Sequence, residues 1–183
     1  GSANGTGTAA SFFMPAGLVR DSQNNLYVGD FKNHVIRKID PITGVVTTFA
    51  GTMGSAGLVN GTGTAAKFNQ PGGLSIDGQD NIYVADSLNH VIRKIDQVTG
   101  QVTTVAGLAG TSGNVDGTTT AARFNRPTYV EITPSGKLLT RDYNNNGAIR
   151  QIDLAAGTVT TLYTTPAVNW MGVSVNSSGL LYA

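Results

Sequence analysis

A repeat of 56 residues is the feature of this sequence that most restricts its fold. NGTGTAASFFMP at 4–15 returns as NGTGTAAKFNQP at 60–71 and as DGTTTAARFNRP at 116–127. NLYVGD, NIYVAD and KLLTRD follow at the same spacing, and NHVIRKID, NHVIRKID and NGAIRQID come next, the last displaced by one inserted residue. The 183 residues therefore divide into units at approximately 1–51, 52–107 and 108–165, with a partial unit at 166–183.

Each unit contains four short runs of alternating residues that are typical of strands. In the second unit they are GLSID, NIYVAD, VIRKID and QVTTVAG, and Gly, Asp and Asn fill the connections. One antiparallel sheet of four strands per unit is typical of a propeller blade. We therefore predict an all-β fold, a β-propeller of four-stranded antiparallel blades, with about 3.3 blades in this chain.

Composition and charge exclude several kinds of function. The chain has no Cys, which removes disulfides, thiolate zinc sites and cysteine nucleophiles. Its 12 basic and 11 acidic residues form no basic stripe with interleaved aromatic residues, so we expect no nucleic-acid partner. No apolar run approaches the length of a membrane span, and we expect none.

The pattern P-x-G-L-x-x-D, then N-L/I-Y-V-x-D, then N-H-V-I-R-K-I-D resembles the NHL repeat over nearly the whole chain. Asn33–His34 and Asn89–His90 are the pairs that give this family its name, and Asn145-Asn146-Gly147 replaces them in the third unit. The long glycine-rich insert resembles bacterial NHL arrays of secreted or surface proteins. The resemblance implies a bacterial source, a six-bladed ring and an extracellular, periplasmic or cell-surface location.

A six-bladed ring needs six units, and this chain supplies about half of them. Because the sequence stops inside the strand-like SGLLYA, we expect the remaining blades in the same, longer chain. The alternative is that a second copy completes the ring.

The Asp-x-x-Asn-His stretches at 30–34 and 86–90 carry oxygen and imidazole groups that suit a metal. We expect a structural role instead, because Asp and Asn between two strands stabilise the turn by bonding the local backbone. The glycine-rich stretches at 4–8 and 60–64 lack the Gly-Lys-Ser/Thr of a phosphate-binding loop, and their Asn-Gly pairs predict tight turns.

The Arg-Lys pairs alternate with Ile, so Arg and Ile point to opposite faces of the strand. We expect Arg37 and Arg93 to pair with carboxylates, for which Asp30 and Asp86 are the candidates.

Residues that interrupt the repeat indicate a candidate binding site, since the blade itself does not need them. Tyr129 and Glu131 stand where the second unit has Gly73 and Ser75. The loop into the first strand and the loop after the second open on the same face of a blade, near the rim of the channel. The rim candidates are Asn69, Asn125, Arg126, Tyr129, Glu131, Arg141, Asn145 and Trp170. Aromatic rings with Asn and Arg suit a protein or carbohydrate ligand.

A structural alternative applies to the same residues. Glu131 and Arg141 can pair with each other, and Trp170 can pack between blades.

The sequence favours a non-enzymatic binding or scaffold module of an exported bacterial protein, with no cofactor and with a protein or carbohydrate ligand on one propeller face. The alternative is a metal-dependent hydrolase or lyase that resembles gluconolactonase-like and amidating-lyase propellers, with a channel metal such as calcium and a site partly in blades outside this chain. The first strands of the blades line the channel, and they contain no His; Glu131 is the acidic residue out of step with the repeat.

Overall fold

The structure is a computed structural model that describes residues 1–144, 147–164, 174–176 and 181–182. Within these ranges the regular elements are β-strands and four single-turn 3-10 helices, and no α-helix occurs. The 3-10 helices are Gly7–Ala9, Phe31–Asn33, Gly63–Ala65 and Ser87–Asn89. No helix in the described part of the chain is long and apolar enough to cross a membrane.

Three five-stranded antiparallel sheets, one for each complete repeat unit, form blades 1, 2 and 3. Blade 1 contains β1 (Gly5–Thr6), β2 (Pro15–Arg20), β3 (Leu26–Asp30), β4 (Val35–Ile39) and β5 (Val45–Ala50). Blade 2 contains β6 (Gly61–Thr62), β7 (Pro71–Ile76), β8 (Ile82–Asp86), β9 (Val91–Ile95) and β10 (Gln101–Ala106). Blade 3 contains β11 (Gly117–Thr118), β12 (Pro127–Ile132), β13 (Leu138–Asp142), β14 (Ala148–Asp153) and β15 (Thr158–Tyr163). A two-stranded pair follows, β16 (Ser174–Val175) with β17 (Leu181–Tyr182). The all-β propeller prediction is confirmed.

Each blade has one strand more than the four that the repeat pattern predicts. In blade 2 the spatial order is β6-β10-β9-β8-β7, and the two-residue strand β6 pairs Gly61 with Val102 and Thr62 with Gln101. The tight turn predicted at Asn60-Gly61 is therefore wrong, because Gly61 begins an edge strand. The insert thus crosses to the outer edge of its own blade before it enters the inner strand.

The apolar core lies between consecutive blades. Blade 1 and blade 2 share a cluster formed by Tyr27, Ile36, Ala50, Ala66, Phe68, Leu74, Ile82, Val84, Ile95 and Val102. Blade 2 and blade 3 share the equivalent cluster of Tyr83, Ala85, Ile92, Ala106, Ala122, Phe124, Val130, Leu138, Ile152 and Val159. In each cluster an Ala and a Phe come from the insert, so the insert is part of the core.

The inner strands β2, β7 and β12 lie side by side along the channel. Their backbones approach so closely that side chains are excluded at some positions. A Cβ added at Gly17 of β2 would lie 2.6 Å from the carbonyl oxygen of Gly72, and one at Gly73 of β7 would lie 2.7 Å from Cα of Tyr129. Part of the glycine content is therefore required by the junctions between blades.

Candidate functional site

The recurring arginine of each blade is structural. Arg93 is fully buried, and its Nη1 lies 3.0 Å from Oδ2 of Asp86. The same guanidinium donates to the carbonyl oxygen of Lys67 (3.1 Å) and to Oδ1 of Asn60 (2.8 Å), and it lies over the ring of Phe68 at 5.2 Å. The arginine therefore fastens the insert to the blade.

The other two blades repeat this arrangement. Arg37 pairs with Asp30 at 2.8 Å, and Arg150 pairs with Asp142 at 3.0 Å. The sequence prediction that Arg37 and Arg93 pair with these carboxylates is confirmed.

The recurring histidine ties one blade to the next. Nδ1 of His34 accepts a hydrogen bond from the backbone N–H of Gln70 at 3.1 Å, and Nδ1 of His90 accepts one from Arg126 at 3.1 Å. Burial lowers the pKa of both histidines, and the nearby charges of Lys32 and Arg126 lower the pKa of His34 and His90 further. In the described ranges, no group of three or more His, Asp or Glu side chains is placed to hold a metal ion.

A cavity of about 570 Å³ opens on the channel and is lined by the inner strands of all three blades. Leu18 and Arg20 contribute from blade 1, Ser75 from blade 2, and Tyr129 and Glu131 from blade 3. Ser75 is already engaged, since its Oγ accepts the backbone N–H of Ile132 at 2.9 Å. Blade 3 supplies the Tyr129 and Glu131 side chains of this wall, and blade 1 supplies Arg20, whose Nη1 donates to Oδ1 of Asn24 at 2.7 Å.

Tyr129 and Glu131 act as one polar unit on the cavity wall. The hydroxyl of Tyr129 donates to Oε2 of Glu131 at 3.0 Å. Burial raises the pKa of Tyr129, and the neighbouring carboxylate of Glu131 raises it further. The structural alternative for Glu131 does not hold, because no ion pair joins it to Arg141 among the described residues.

Two of the rim asparagines are held by their backbones. The N–H of Asn69 donates to Oδ1 of Asp86 at 2.7 Å, and that of Asn125 donates to Oδ1 of Asp142 at 3.1 Å. Their carbonyl oxygens accept the N–H groups of Leu88 and Asn144 in the loops after β8 and β13. The loop into the inner strand and the loop after the next strand thus meet on one face, as the sequence analysis expects.

Blade 3 places two rim candidates around a ring that the sequence analysis missed. The guanidinium carbons of Arg126 and Arg141 lie 5.5 Å and 5.3 Å from the centre of the Tyr143 ring. Tyr143 is half-exposed and takes the position that Ser87 has in blade 2 and Phe31 has in blade 1, so its difference from the second unit was the available signal. Arg141 lies directly opposite Tyr129 in the register of β12 and β13, which puts this ring cluster beside the cavity.

Asn145 and Trp170, the remaining rim candidates, lie outside the described residues.

Comparison with known proteins assigns the repeat. Residues 68–95 match the NHL repeat family. A curated relative, NHL repeat-containing protein 2 of Bos taurus, is 37% identical over 119 residues, which cover 64% of this chain and 16% of the relative. The chain therefore spans about a sixth of the length of this relative.

Solved structures show the same architecture. An auxiliary nutrient binding protein from Bacteroides thetaiotaomicron aligns with a TM-score of 0.66 and 28% identity over 74% of this chain and 36% of that protein. A virginiamycin B lyase from Staphylococcus aureus aligns with a TM-score of 0.59 over 91% of this chain and 47% of the lyase. At 13% identity, the likeness to the lyase concerns the fold alone. The chain carries NHL repeats and folds as part of a β-propeller.

Proposed function

We propose that this NHL-repeat chain is part of a non-enzymatic binding module of an exported bacterial protein, and that it holds a protein or carbohydrate ligand at the channel face of blades 1 to 3. The observation that carries the proposal is the channel cavity, into which blade 3 places a hydrogen-bonded Tyr129–Glu131 pair. Its volume of about 570 Å³ falls within the range of ligand sites.

The chemistry of this wall suits a ligand with hydroxyl or amide groups. The Glu131 carboxylate accepts hydrogen bonds, and the Tyr129 ring offers apolar area next to a polar end. Because the equivalent positions in blade 2 are Gly73 and Ser75, a blade forms without either side chain. The fold does not require these two residues, and they lie together in a cavity. This placement supports a role in ligand binding.

The similarity to the Bacteroides nutrient-binding protein supports the same role and an extracellular or periplasmic location. That similarity covers 36% of the Bacteroides protein, so the ligand of this chain is a matter for experiment.

The proposal is tested with defined probes by isothermal titration calorimetry. Maltotriose, cellotriose and tri-alanine amide are titrated into the chain and into the variant Y129F/E131Q. The variant keeps the volume of both side chains and removes the hydroxyl and the charge. We expect at least one probe to bind and its affinity to fall about tenfold or more in the variant, the size expected for lost hydrogen bonds to a charged group.

Y163F is the matched control, because Tyr163 is 62% exposed on the outer strand β15, away from the channel. The variant Y163F should bind the probe with the same affinity as the unchanged chain. Equal affinity of Y129F/E131Q, or no binding of any probe, would contradict the proposal. Urea unfolding of each variant confirms that the fold is intact.

A further inference from the structure

The ring cluster of blade 3, formed by Arg126, Arg141 and Tyr143, brings two positive charges to one place on the rim. Both guanidiniums lie within 5.5 Å of the centre of the Tyr143 ring. Arg141 is only 5% exposed, and Arg126 is half-buried. The cluster adjoins the cavity, because Arg141 faces Tyr129 across β12 and β13.

These two arginines differ from the three recurring arginines in their partners. The terminal nitrogens of Arg37, Arg93 and Arg150 each meet an Asp carboxylate, backbone carbonyls and a further side-chain oxygen. In the part of the chain that the structure describes, no side-chain hydrogen bond or ion pair engages Arg126 or Arg141. The Nε atoms of all five arginines are buried without a hydrogen-bond partner, so the difference lies in the terminal nitrogens.

Arg141 is a nearly buried cation that pairs with no carboxylate of the described residues, and burying a cation without a counterion costs free energy. Arginine does not avoid this free-energy cost by losing its proton, because the pKa of a guanidinium is too high. This holds even at Arg141, where burial lowers the pKa. Arg141 and its half-buried neighbour Arg126 therefore present positive charge whose terminal nitrogens are not among the buried atoms, and an anion is the group that would pair with it.

The blade fold does not require the side chains of the ring cluster. Arg126, Arg141 and Tyr143 stand where blade 2 has Gln70, Ala85 and Ser87.

At Gly29, the blade 1 position that corresponds to Arg141, the next inner strand approaches so closely that even a Cβ would lie 2.7 Å from the Gly72 carbonyl oxygen. Arg141 therefore replaces the small residues, Gly29 and Ala85, that the other two blades have at this position.

We propose that the ring cluster binds the carboxylate of a small organic acid, an inference that rests on the proposed binding function and names the ligand class. The planar fork of a guanidinium matches the two oxygens of a carboxylate. Glu131, two positions beyond Tyr129 on the same strand, repels a second carboxylate and accepts a hydroxyl or ammonium group instead. The ligand class is therefore an acid with a carboxylate and nearby hydroxyl or amino groups.

Two sources of small molecules carry this chemistry, sugar acids and short peptides with a free C-terminus. The test uses matched pairs of probes: galacturonate against galactose and against galacturonate methyl ester, and tri-alanine against tri-alanine amide. Calorimetric titration of the whole chain should give at least tenfold tighter binding of the acid in one pair, with affinity that falls as salt is added. The pair that responds identifies the source.

The variants R126Q and R141A install the residues that blade 2 has at these positions. Each should weaken binding of the acid about tenfold or more and leave the neutral partner unchanged. R123Q is the matched control, since Arg123 is exposed on the same insert and its removal changes the net charge equally. Nε–H resonances assigned to Arg126 and Arg141 should shift on titration with the acid.

Several outcomes would overturn the inference. These are equal affinity for acid and neutral probes, inorganic phosphate competing as well as the acid, or unchanged binding in both R126Q and R141A. If acid and neutral probes bind alike and Y129F/E131Q weakens both, the carboxylate site is wrong and the proposed function stands. If the arginine variants lose the acid while Y129F/E131Q keeps it, the carboxylate site stands and the channel assignment is wrong.

Discussion

Nδ1 of His90 accepts a hydrogen bond from the backbone N–H of Arg126, 36 positions later in the chain and in the next blade, at 3.1 Å. His90 has a φ of 60° and Arg126 a φ of 58°, so both adopt the left-handed conformation that few non-glycine residues take. His34 and Gln70 repeat the contact between blades 1 and 2. The histidine is thus an acceptor at the junction between blades, and this role requires Nδ1 without a proton.

Acid should weaken these junctions. Burial lowers the pKa of His34 and His90 below the ordinary 6.5, so folding favours the neutral imidazoles. Their contribution to stability is complete above pH 6.5 and is lost as the pH falls through the folded-state pKa. We expect each to contribute at most about 1 kcal/mol, the usual net value of one hydrogen bond, reduced by partial exposure. Urea unfolding at pH 7.5 and pH 5.5 measures the difference.

The double variant H34N/H90N is the control for this pH dependence. Asn tolerates the left-handed backbone and does not titrate. Its free energy of unfolding should change less between the two pH values than that of the unchanged chain. An identical change in both proteins would contradict the assignment to the histidines.

The buried ion pair of blade 2 should be far more important for stability than a surface pair. Replacing Arg93 by Met leaves the Asp86 carboxylate buried without its cation, and we expect a loss of about 3–5 kcal/mol in the free energy of unfolding. The matched control is K137M, which removes the Lys137–Asp153 pair, where the side chains are 37% and 22% exposed. That control should lose at most about 1 kcal/mol. Similar losses for the two variants would contradict the structural role of Arg93.

The strands and the arginine pairs were predictable because they follow from alternation. A period of two places Arg93 on one face of β9 and Ile92 on the other, whereas Ile95 shares the face of Arg93, so the predicted separation of Arg from Ile is wrong for Ile95. Asp86, at the end of the neighbouring strand β8, is the acid that pairs with Arg93. The partner of Glu131 was also readable in principle, since Tyr129 lies two positions away on the same strand. The structural alternative in the sequence analysis instead paired Glu131 with Arg141, on the neighbouring strand.

Two other features, the edge strand β6 and the role of Tyr143, could not be predicted from the alternation of residues. The edge strand β6 has two residues, Gly61 and Thr62, which is too short for any alternation to be visible. Tyr143 was overlooked because its importance comes from two arginines that the fold brings to it from different strands and loops. A contact of this kind depends on tertiary packing, and a repeat alignment indicates only that the position departs from its equivalents.

The close approach of blades 1 and 2 gives a steric prediction. G29A introduces a Cβ 2.7 Å from the Gly72 carbonyl oxygen, so β3 of blade 1 and the inner strand β7 of blade 2 must separate. We expect a loss of about 1–3 kcal/mol in the free energy of unfolding, the usual range for overpacking. G78A is the control, because a Cβ at Gly78 meets nothing within 4 Å, and it should change stability by less than about 0.5 kcal/mol. Equal stability of the two variants would argue against the packing of these strands.

The insert should stabilise the propeller through its phenylalanine. Phe68 is fully buried between blades 1 and 2 and lies 5.2 Å from the guanidinium of Arg93, so F68A removes both core packing and the stack on the cation. We expect F68A to lower the free energy of unfolding by about 3–5 kcal/mol, measured by urea denaturation. F13A removes the same side chain where it is 52% exposed, and it should cost less than about 0.5 kcal/mol. A small loss in F68A would mean that the insert is a dispensable loop, whereas a large loss means that its phenylalanine is a structural part of the junction between blades 1 and 2.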